Sequence, residues 1–417
     1  MTDVGPEARL RVLMAHNFYR EPGGEDGVFR AETKLLEDHG HEVIPFTAHN
    51  DAIADIGKVA LVRSTFWNAD VYRRVRALIR ERRPDVLHAH NTFPLLSPSV
   101  FAAARAERVP VVQTLHNFRL LCANGLLLRH GAVCERCVGR TIPWPAVTGR
   151  CYRGSAAQSA VAAGAAWYQR VRRAREDGDD VDVYVALTSF ARDKFIAGGL
   201  PADRIVVKPN FVEDLWANDR PGETANHALF VGRLAPEKGI ATMLAAWRDS
   251  AGLPPLRIIG DGPMRPDVVA AAAADPRIVW LGQQTPPQVQ QAMRHAAVLL
   301  VPSLWYEGAP LVIVEAFAAG LPVIGSALGG PAAQIEAGLT GWLHQPGDPV
   351  GLAEMVHRCQ ADAAAMPGMR TRARQRYLDS YSAPVNYRML LAIYARAGCR
   401  VRAPRPGRVA ELAMRSS

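Results

Sequence analysis

One feature constrains this chain most: short apolar runs alternate with longer segments of helical periodicity, and the alternation stops once and then restarts. Alternation of this kind calls for parallel sheets covered by helices. In the first series "RLRVLMAHN", "HEVIPFTA", "DVLHAHN", "VVQTLHN", "VDVYVALT" and "RIVVKPN" read as strands. Helical segments lie between them. "DGVFRAETKLLEDHGHEV" stops at Gly40, and "VYRRVRALIRERRP" places Val71, Val75, Leu78 and Ile79 on one face. A polar, aperiodic stretch with Pro209, Pro221 and Gly222 follows. The pattern then resumes with "HALFVGRL", "LRIIGDG", "RIVWLG", "AVLLVPS" and "LPVIGS" as strands, separated by helices that include "LVIVEAFAAG", with "PAAQIEAG" as a last helix.

This pattern predicts an α/β fold class with two Rossmann-like parallel-sheet domains facing a deep interdomain cleft. The expected divisions are residues 1–207, with an insertion over about 118–153; a linker, 208–227; a second domain, 228–380; and residues 381–417, a C-terminal helix packing back on the first domain plus a basic tail. At 417 residues each domain is long enough to bury its own core. The tail carries Arg400, Arg402, Arg405, Arg408 and Arg415. No internal repeat or low-complexity tract occurs.

Charged residues make up 21% and hydrophobic residues 49%, which excludes a disordered chain or a fibre. The net charge of +9 suits an anionic ligand or an acidic membrane face and is too dilute to indicate nucleic acid. Only five of the 49 basic residues are lysines, so each lysine stands out against an arginine-rich background. No secretory signal is visible, and Glu315 breaks the longest apolar run, so the expectation is a cytoplasmic protein.

Five constellations carry chemistry. The first is Glu307-Gly308-Ala309-Pro310-Leu311 with Glu315, after one strand and opening a helix. Two carboxylates there suit pairs of hydroxyls, and the amides of Ala309, Leu311 and Val312 suit an anion. The second, "FVGRLAPEKGI", holds Arg233 and Lys238 at a strand end, where two cations can grip a diphosphate. The third, "REPGGEDG", puts Gly23 and Gly24 before the first helix, where bare backbone can approach a phosphate. The fourth is His88, His90, His116 and Asn117 at strand ends. His88 and His90 share a face, but no local carboxylate joins them as a metal set. The fifth, Cys122, Cys134, Cys137 and Cys151, has spacing compatible with structural zinc, with a disulfide pair or with free thiols. The run Arg170, Arg172, Arg173, Arg175 is read as a solvated helix face, with anionic membrane contact as the lesser reading.

In this order, a glycine turn, His-Asn after a strand, GR-x4-K, "GDGP" from Gly260 to Pro263 and E-x7-E resemble the retaining nucleotide-sugar glycosyltransferases of family four, of GT-B fold. The resemblance extends to about residue 395. "TLHNFRLLCANGLLLRHGAVCERC" is similar to a bacterial subgroup with a Cys-bearing loop in the N-terminal domain. The resemblance implies that Arg233 and Lys238 bind the donor diphosphate and that Glu315 holds the ribose. It implies that Glu307, with Gly308, Ala309, Pro310 and Leu311, holds the donor sugar and the distal phosphate. Gly23, Gly24 and Gly262 shape the phosphate and nucleotide pocket, and His116 lies beside the reacting carbon. The catalytic set it implies is His116, Arg233, Lys238 and Glu307, with no metal required. Asp177-Gly178-Asp179 resembles the metal-binding motif of another transferase class but is read as a solvated turn. Gly308-Ala309-Pro310 departs from the family's usual Phe-Gly pair, and Phe211 and Glu213 from its commoner Gly and Asp. The implied partners are a nucleotide-diphosphate sugar and a sugar, lipid-linked glycan or small-molecule acceptor, with peripheral contact to anionic membrane as an option. A nucleotide-sugar epimerase and a non-catalytic nucleotide-sugar-binding protein are the alternatives.

Overall fold

A computed structural model describes residues 9–21, 23–174, 179–216 and 226–399. Expectations placed on Arg175, Asp177, Gly178, Pro221, Gly222 and the arginines from Arg400 onward lie outside these described residues. The strands in chain order are β1 (Arg11–Phe18), β2 (Glu42–His49), β3 (Val86–Ala89), β4 (Val111–Leu115), β5 (Leu128–Arg129), β6 (Ala132–Val133), β7 (Val183–Ala186) and β8 (Ile205–Val207). They continue as β9 (Ala228–Val231), β10 (Leu256–Ile259), β11 (Ile278–Gly282), β12 (Val298–Val301), β13 (Val323–Ser326) and β14 (Gly341–His344). Two six-stranded sheets result, ordered β2-β1-β3-β4-β7-β8 and β11-β10-β9-β12-β13-β14, with parallel pairing throughout.

The chain divides into two compact units. One comprises Met1–Leu126, Glu135–Pro209 and Asn386–Ser417; the other comprises Leu127–Cys134 and Asn210–Val385. In the first, Val12, Leu13, Met14 and Ala15 are all buried, so both faces of β1 are covered. This is why the run shows no polar alternation. The second unit shows the same on two sides. Ala228 and Phe230 join a cluster around Trp247 and Leu256, while Leu229 joins another around Phe317 and Val323.

One expectation needs correction. Lys208, assigned to the linker for its polarity, is fully buried in the first unit, where its Nζ meets Glu32 Oε1 at 2.5 Å. Val212 and Trp216 pack on the second core, so both flanks of the stretch are structural. Only a buried partner far away in sequence converts such a polar residue into core, and local pattern cannot show one. The Cys-bearing segment holds a minimal antiparallel hairpin, β5–β6, and the single turn Pro145–Thr148. None of its four cysteines is joined in a disulfide. Cys122 Sγ donates to Asn124 Oδ1 at 3.0 Å, and Cys137 and Cys151 pack in a small cluster with Ala146, Ala162 and Ala163.

Helix Ala383–Arg396 enters the first unit at Asn386 and there carries Tyr387 and Tyr394. Tyr387 Oη lies 2.8 Å from His41 Nε2, whose Nδ1 accepts from Leu10 N–H; Tyr394 Oη lies 3.0 Å from His88 Nδ1. Among the described residues no helix is long and apolar enough to cross a membrane.

Candidate functional site

In each sheet the strand order reverses once, between β1 and β3 and between β9 and β12. Ligands of doubly wound sheets bind beyond the carboxyl ends of the strands at such a switch point. The site residues expected from sequence fall there in both units.

In the second unit β9 runs into Gly232-Arg233, and a single 3-10 turn, Pro236–Lys238, follows. β12 runs into Pro302, Ser303 and Glu307. The two loops interlock. Leu304 N–H donates to Glu237 O at 2.8 Å, and Gly239, at φ +74°, packs so closely that a Cβ there would sit 1.9 Å from Pro302 O. This seating brings Lys238 Nζ to 2.9 Å from Glu307 Oε2 and over the Trp305 ring. Ser303 Oγ donates to the other oxygen, Oε1. Glu307 is buried, and its main-chain oxygen accepts from Gly330 N–H at 2.7 Å. A Cβ on Gly330 would meet that oxygen at 2.6 Å, so the Gly329-Gly330 pair is what lets the Glu307 loop lie flat.

Arg233 reaches Glu237 and is largely exposed. The "GDGP" turn stacks directly on the Arg233 turn: Cβ atoms on Gly260 and Gly262 would lie 1.9 Å from Gly232 O and 2.6 Å from Leu234 O. The Gly262 N–H is taken by Asp261 Oδ1 at 2.7 Å, so this glycine acts by close approach. Pro310 is the cap residue before helix Leu311–Ala318, one step earlier than the first-turn position expected for it. Leu311 and Val312 therefore present the first amides, which have no acceptor within the helix. Glu315 lies within that helix, and burial pushes its carboxyl above the usual range.

In the first unit β1 ends in His16 and Asn17, β3 leads to His90 and Asn91, and β4 leads to His116 and Asn117. Gly23 is the cap of helix Gly24–Asp38, and its N–H is donated to Asp26 Oδ2 at 2.9 Å. Gly23 thus spends its N–H on the cap, while Gly24, the glycine expected to bring its N–H to the phosphates, opens the helix, exposed. Asp26 Oδ1 accepts from His16 Nε2 at 2.7 Å. Burial outweighs that bond and lowers His16 to about 4. Glu25 receives Asn117 Nδ2–H at 3.4 Å, and burial raises its carboxyl.

Beneath His116 lies a buried network that the sequence did not indicate. His116 Nε2 is 2.9 Å from His90 Nδ1, His90 Nε2 is 3.4 Å from Glu32 Oε2, and Glu32 Oε1 holds Lys208. His88 lies 3.8 Å from Glu32 and hydrogen-bonds Thr114 at 2.8 Å. Burial pushes the Glu32 carboxyl up, but the Lys208 ammonium and His90 outweigh it and hold it well below the usual range. Burial lowers His88 to about 3 and holds His116 well below 6.5. The missing local carboxylate beside His88 and His90 is therefore Glu32, supplied from a helix far away in sequence. Among the described residues these three form the one group of three or more His, Cys, Asp or Glu side chains whose nitrogen, sulfur or carboxylate atoms all lie within 4.8 Å of one another. A lysine already neutralises its carboxylate. Lys208 carried one usable signal, as one of five lysines. Glu32 sits in an ordinary amphipathic helix and carried none.

Residues 23–210 match the family described as Glycosyl transferase 4-like domain, and residues 225–362 match Glycosyl transferases group 1. The chain is 27% identical over 229 residues to the amylovoran biosynthesis glycosyltransferase AmsK of Erwinia amylovora, covering 52% of this chain and 56% of that one. It is 32% identical over 176 residues to lipopolysaccharide 1,6-galactosyltransferase of Salmonella typhimurium, covering 40% and 49%. The matched segments thus span about half the length of these curated relatives. Anabaena Alr3699/HepE, crystallised with UDP, superimposes with a TM-score of 0.65 at 18% identity, covering 92% of this chain and 99% of that one. The chain has the GT-B fold, and its two halves match glycosyltransferase domains.

Proposed function

We propose that this chain is a retaining glycosyltransferase moving a sugar from a nucleotide-diphosphate donor to a hydroxyl acceptor. The observation that carries the reading is the Lys238–Glu307 pair: an ammonium and a buried carboxylate, 2.9 Å apart, at the switch point of the unit that matches Glycosyl transferases group 1. Relatives named for galactosyl transfer and a fold neighbour crystallised with UDP support the donor class.

In this reading the bond between the anomeric carbon and the β-phosphate oxygen breaks while the acceptor oxygen bonds to the same face. The acceptor proton passes to the departing phosphate oxygen, giving the glycoside and a nucleoside diphosphate. Negative charge grows on that oxygen. Arg233, Lys238 and the amides of Leu311 and Val312 stabilise it more in the transition state than in the ground state, and no metal is needed for that task. Glu315 binds ribose hydroxyls, Glu307 binds sugar hydroxyls, and His116 meets the sugar near the reacting carbon. The acceptor is a hydroxyl of a surface polysaccharide intermediate or a specialised metabolite, in keeping with the amylovoran and lipopolysaccharide relatives. If the acceptor is lipid-linked, the net charge of +9 favours work at an anionic membrane face.

The test is thermal stabilisation by UDP-, GDP-, ADP- and dTDP-sugars, beside an Arg233→Ala, Lys238→Ala double variant. One donor at about 100 times its Kd should stabilise the unsubstituted chain by about 2.7 kcal/mol and leave the double variant unmoved. Turnover of that donor without acceptor to an epimeric sugar would favour an epimerase instead. Equal stabilisation of both proteins would place the diphosphate elsewhere.

A further inference from the structure

We infer that Glu32 and His90 form a positioning relay that fixes the proton of His116 on Nε2 and leaves His116 Nδ1 as a lone-pair acceptor for a ligand hydroxyl. The inference deepens the proposed function, because it takes His116 to meet the donor sugar.

The argument starts from satisfied and unsatisfied atoms. Glu32 is wholly buried, and Lys208 Nζ occupies its Oε1 at 2.5 Å. Its Oε2 has no other hydrogen bond and faces His90 Nε2 at 3.4 Å, an atom equally buried and otherwise unpartnered. A carboxylate only accepts. If His90 Nε2 were bare, two lone pairs would oppose each other in a place water does not reach, which is costly. The proton of His90 therefore sits on Nε2. Lys208 already balances the Glu32 charge, and the relay takes His90 as the neutral ring. His90 Nδ1 is then the acceptor, and the 2.9 Å bond to His116 Nε2 requires His116 to donate. The two rings lie edge to edge, centroids 5.1 Å apart and tilted by only 19°, which keeps the bond in line. His116 Nδ1 has no hydrogen bond among the described residues, and burial keeps the ring neutral. The second nitrogen of a histidine is set by the bond the first one makes, and here that bond leads back through two residues to a buried lysine. Tyr394 and Thr114 satisfy both nitrogens of His88, which keeps that ring out of the chain.

The test reads the tautomers directly. Nitrogen-15 spectra of the full-length chain, labelled at histidine and without any donor, should show His90 and His116 both protonated at Nε2. The two are assigned by His90→Phe and His116→Gln spectra. Glu32→Gln keeps the shape. Its carbonyl stays on Lys208 and its amide turns to His90, so both rings should switch to the Nδ1–H form. His90→Phe keeps a flat ring and removes the bond, and guards against misfolding of the Glu32 variant. With the donor found above, each variant should lose about 10- to 100-fold in kcat with donor KM little changed, the range seen when the partner orienting a functional side chain is removed. His116 protonated at Nδ1 in the unsubstituted chain overturns the relay, as does a His90→Phe variant with full kcat. The donor-free spectra stand whether or not any donor is found, so failure of the relay and failure of the transferase reading are separate results.

Discussion

Lys238 and Glu307 illustrate what a single side chain contributes here. Their 2.9 Å pair is about a quarter exposed on the lysine side, where ion pairs add little to stability. In the proposed reaction its value lies in preorganisation. An ammonium already held by a carboxylate and a tryptophan face needs little rearrangement when phosphate charge develops. Lys238→Ala should therefore leave the melting temperature within about 2–4 °C, a change near 1 kcal/mol for a domain of this size. Turnover should fall about 10²- to 10³-fold in kcat, the loss expected for one stabilising donor. Lys238→Arg should not restore it, because a planar fork cannot replace a compact ammonium seated on Glu307 Oε2. Initial-rate kinetics with the donor identified by thermal shift decide this. A Lys238→Ala variant with unchanged kcat would remove Lys238 from the transition state. Ser303→Ala, which strips one donor from the buried Glu307 carboxylate, should cost about 1–3 kcal/mol of stability by urea midpoint.

At the scale of elements, the site depends on turns that only glycine can make. Gly239 and Gly338 have nearly the same φ, +74° and +76°, yet a Cβ on Gly239 would lie 1.9 Å from Pro302 O, while one on Gly338 would meet nothing within 4 Å. Gly338→Ala isolates the conformational penalty, about 1–2 kcal/mol. Gly239→Ala adds a backbone clash that must push the Lys238 turn off the end of β12. It should destabilise by well over that amount and abolish donor binding. Chemical denaturation and the donor thermal shift measure the two effects, and equal destabilisation by both substitutions would contradict the interlock. The same contrast explains what was legible beforehand. The strands "RLRVLMAHN" and "AVLLVPS" stand out because both faces of a parallel sheet are buried, so the apolar run itself marks the strand. Arg233, Lys238, Glu307 and Glu315 could be singled out as candidates because they cluster within single strand–turn–helix units. Glu32, Lys208 and the Gly329-Gly330 pair were not. Each acts on a residue distant in sequence, and the helix and loops carrying them satisfy their local patterns without that role. For Gly23 the glycine was legible, but the hydrogen bond to Asp26 that occupies its amide was not.

At the scale of the whole chain, the buried histidines tie folding to pH. His16 and His88 are both fully buried in the first unit, and burial holds them at about 4 and about 3, against 6.5 in an unfolded chain. In the second unit burial likewise lowers His227 to about 4. Between pH 6.5 and about 4 the unfolded chain therefore binds protons that the native chain refuses. Stability then rises with pH across this window and is lost as pH falls through it, by up to about 1.4 kcal/mol per pH unit for each such histidine. Glu32 acts in the same direction lower down, because its depressed carboxyl must be protonated before Lys208 loses its partner. The neutral His116 that the relay requires and the acid sensitivity of the fold thus share one cause, the desolvation of buried imidazoles. The urea midpoint of the intact chain should hold steady from pH 8 to 7 and then drop steeply from pH 6.5 to 4.5, with net proton uptake on unfolding at pH 5.5. A midpoint unchanged between pH 7 and 5 would mean that these rings are protonated or solvated in the native protein, and the assignment of His116 as a neutral acceptor would fall with it.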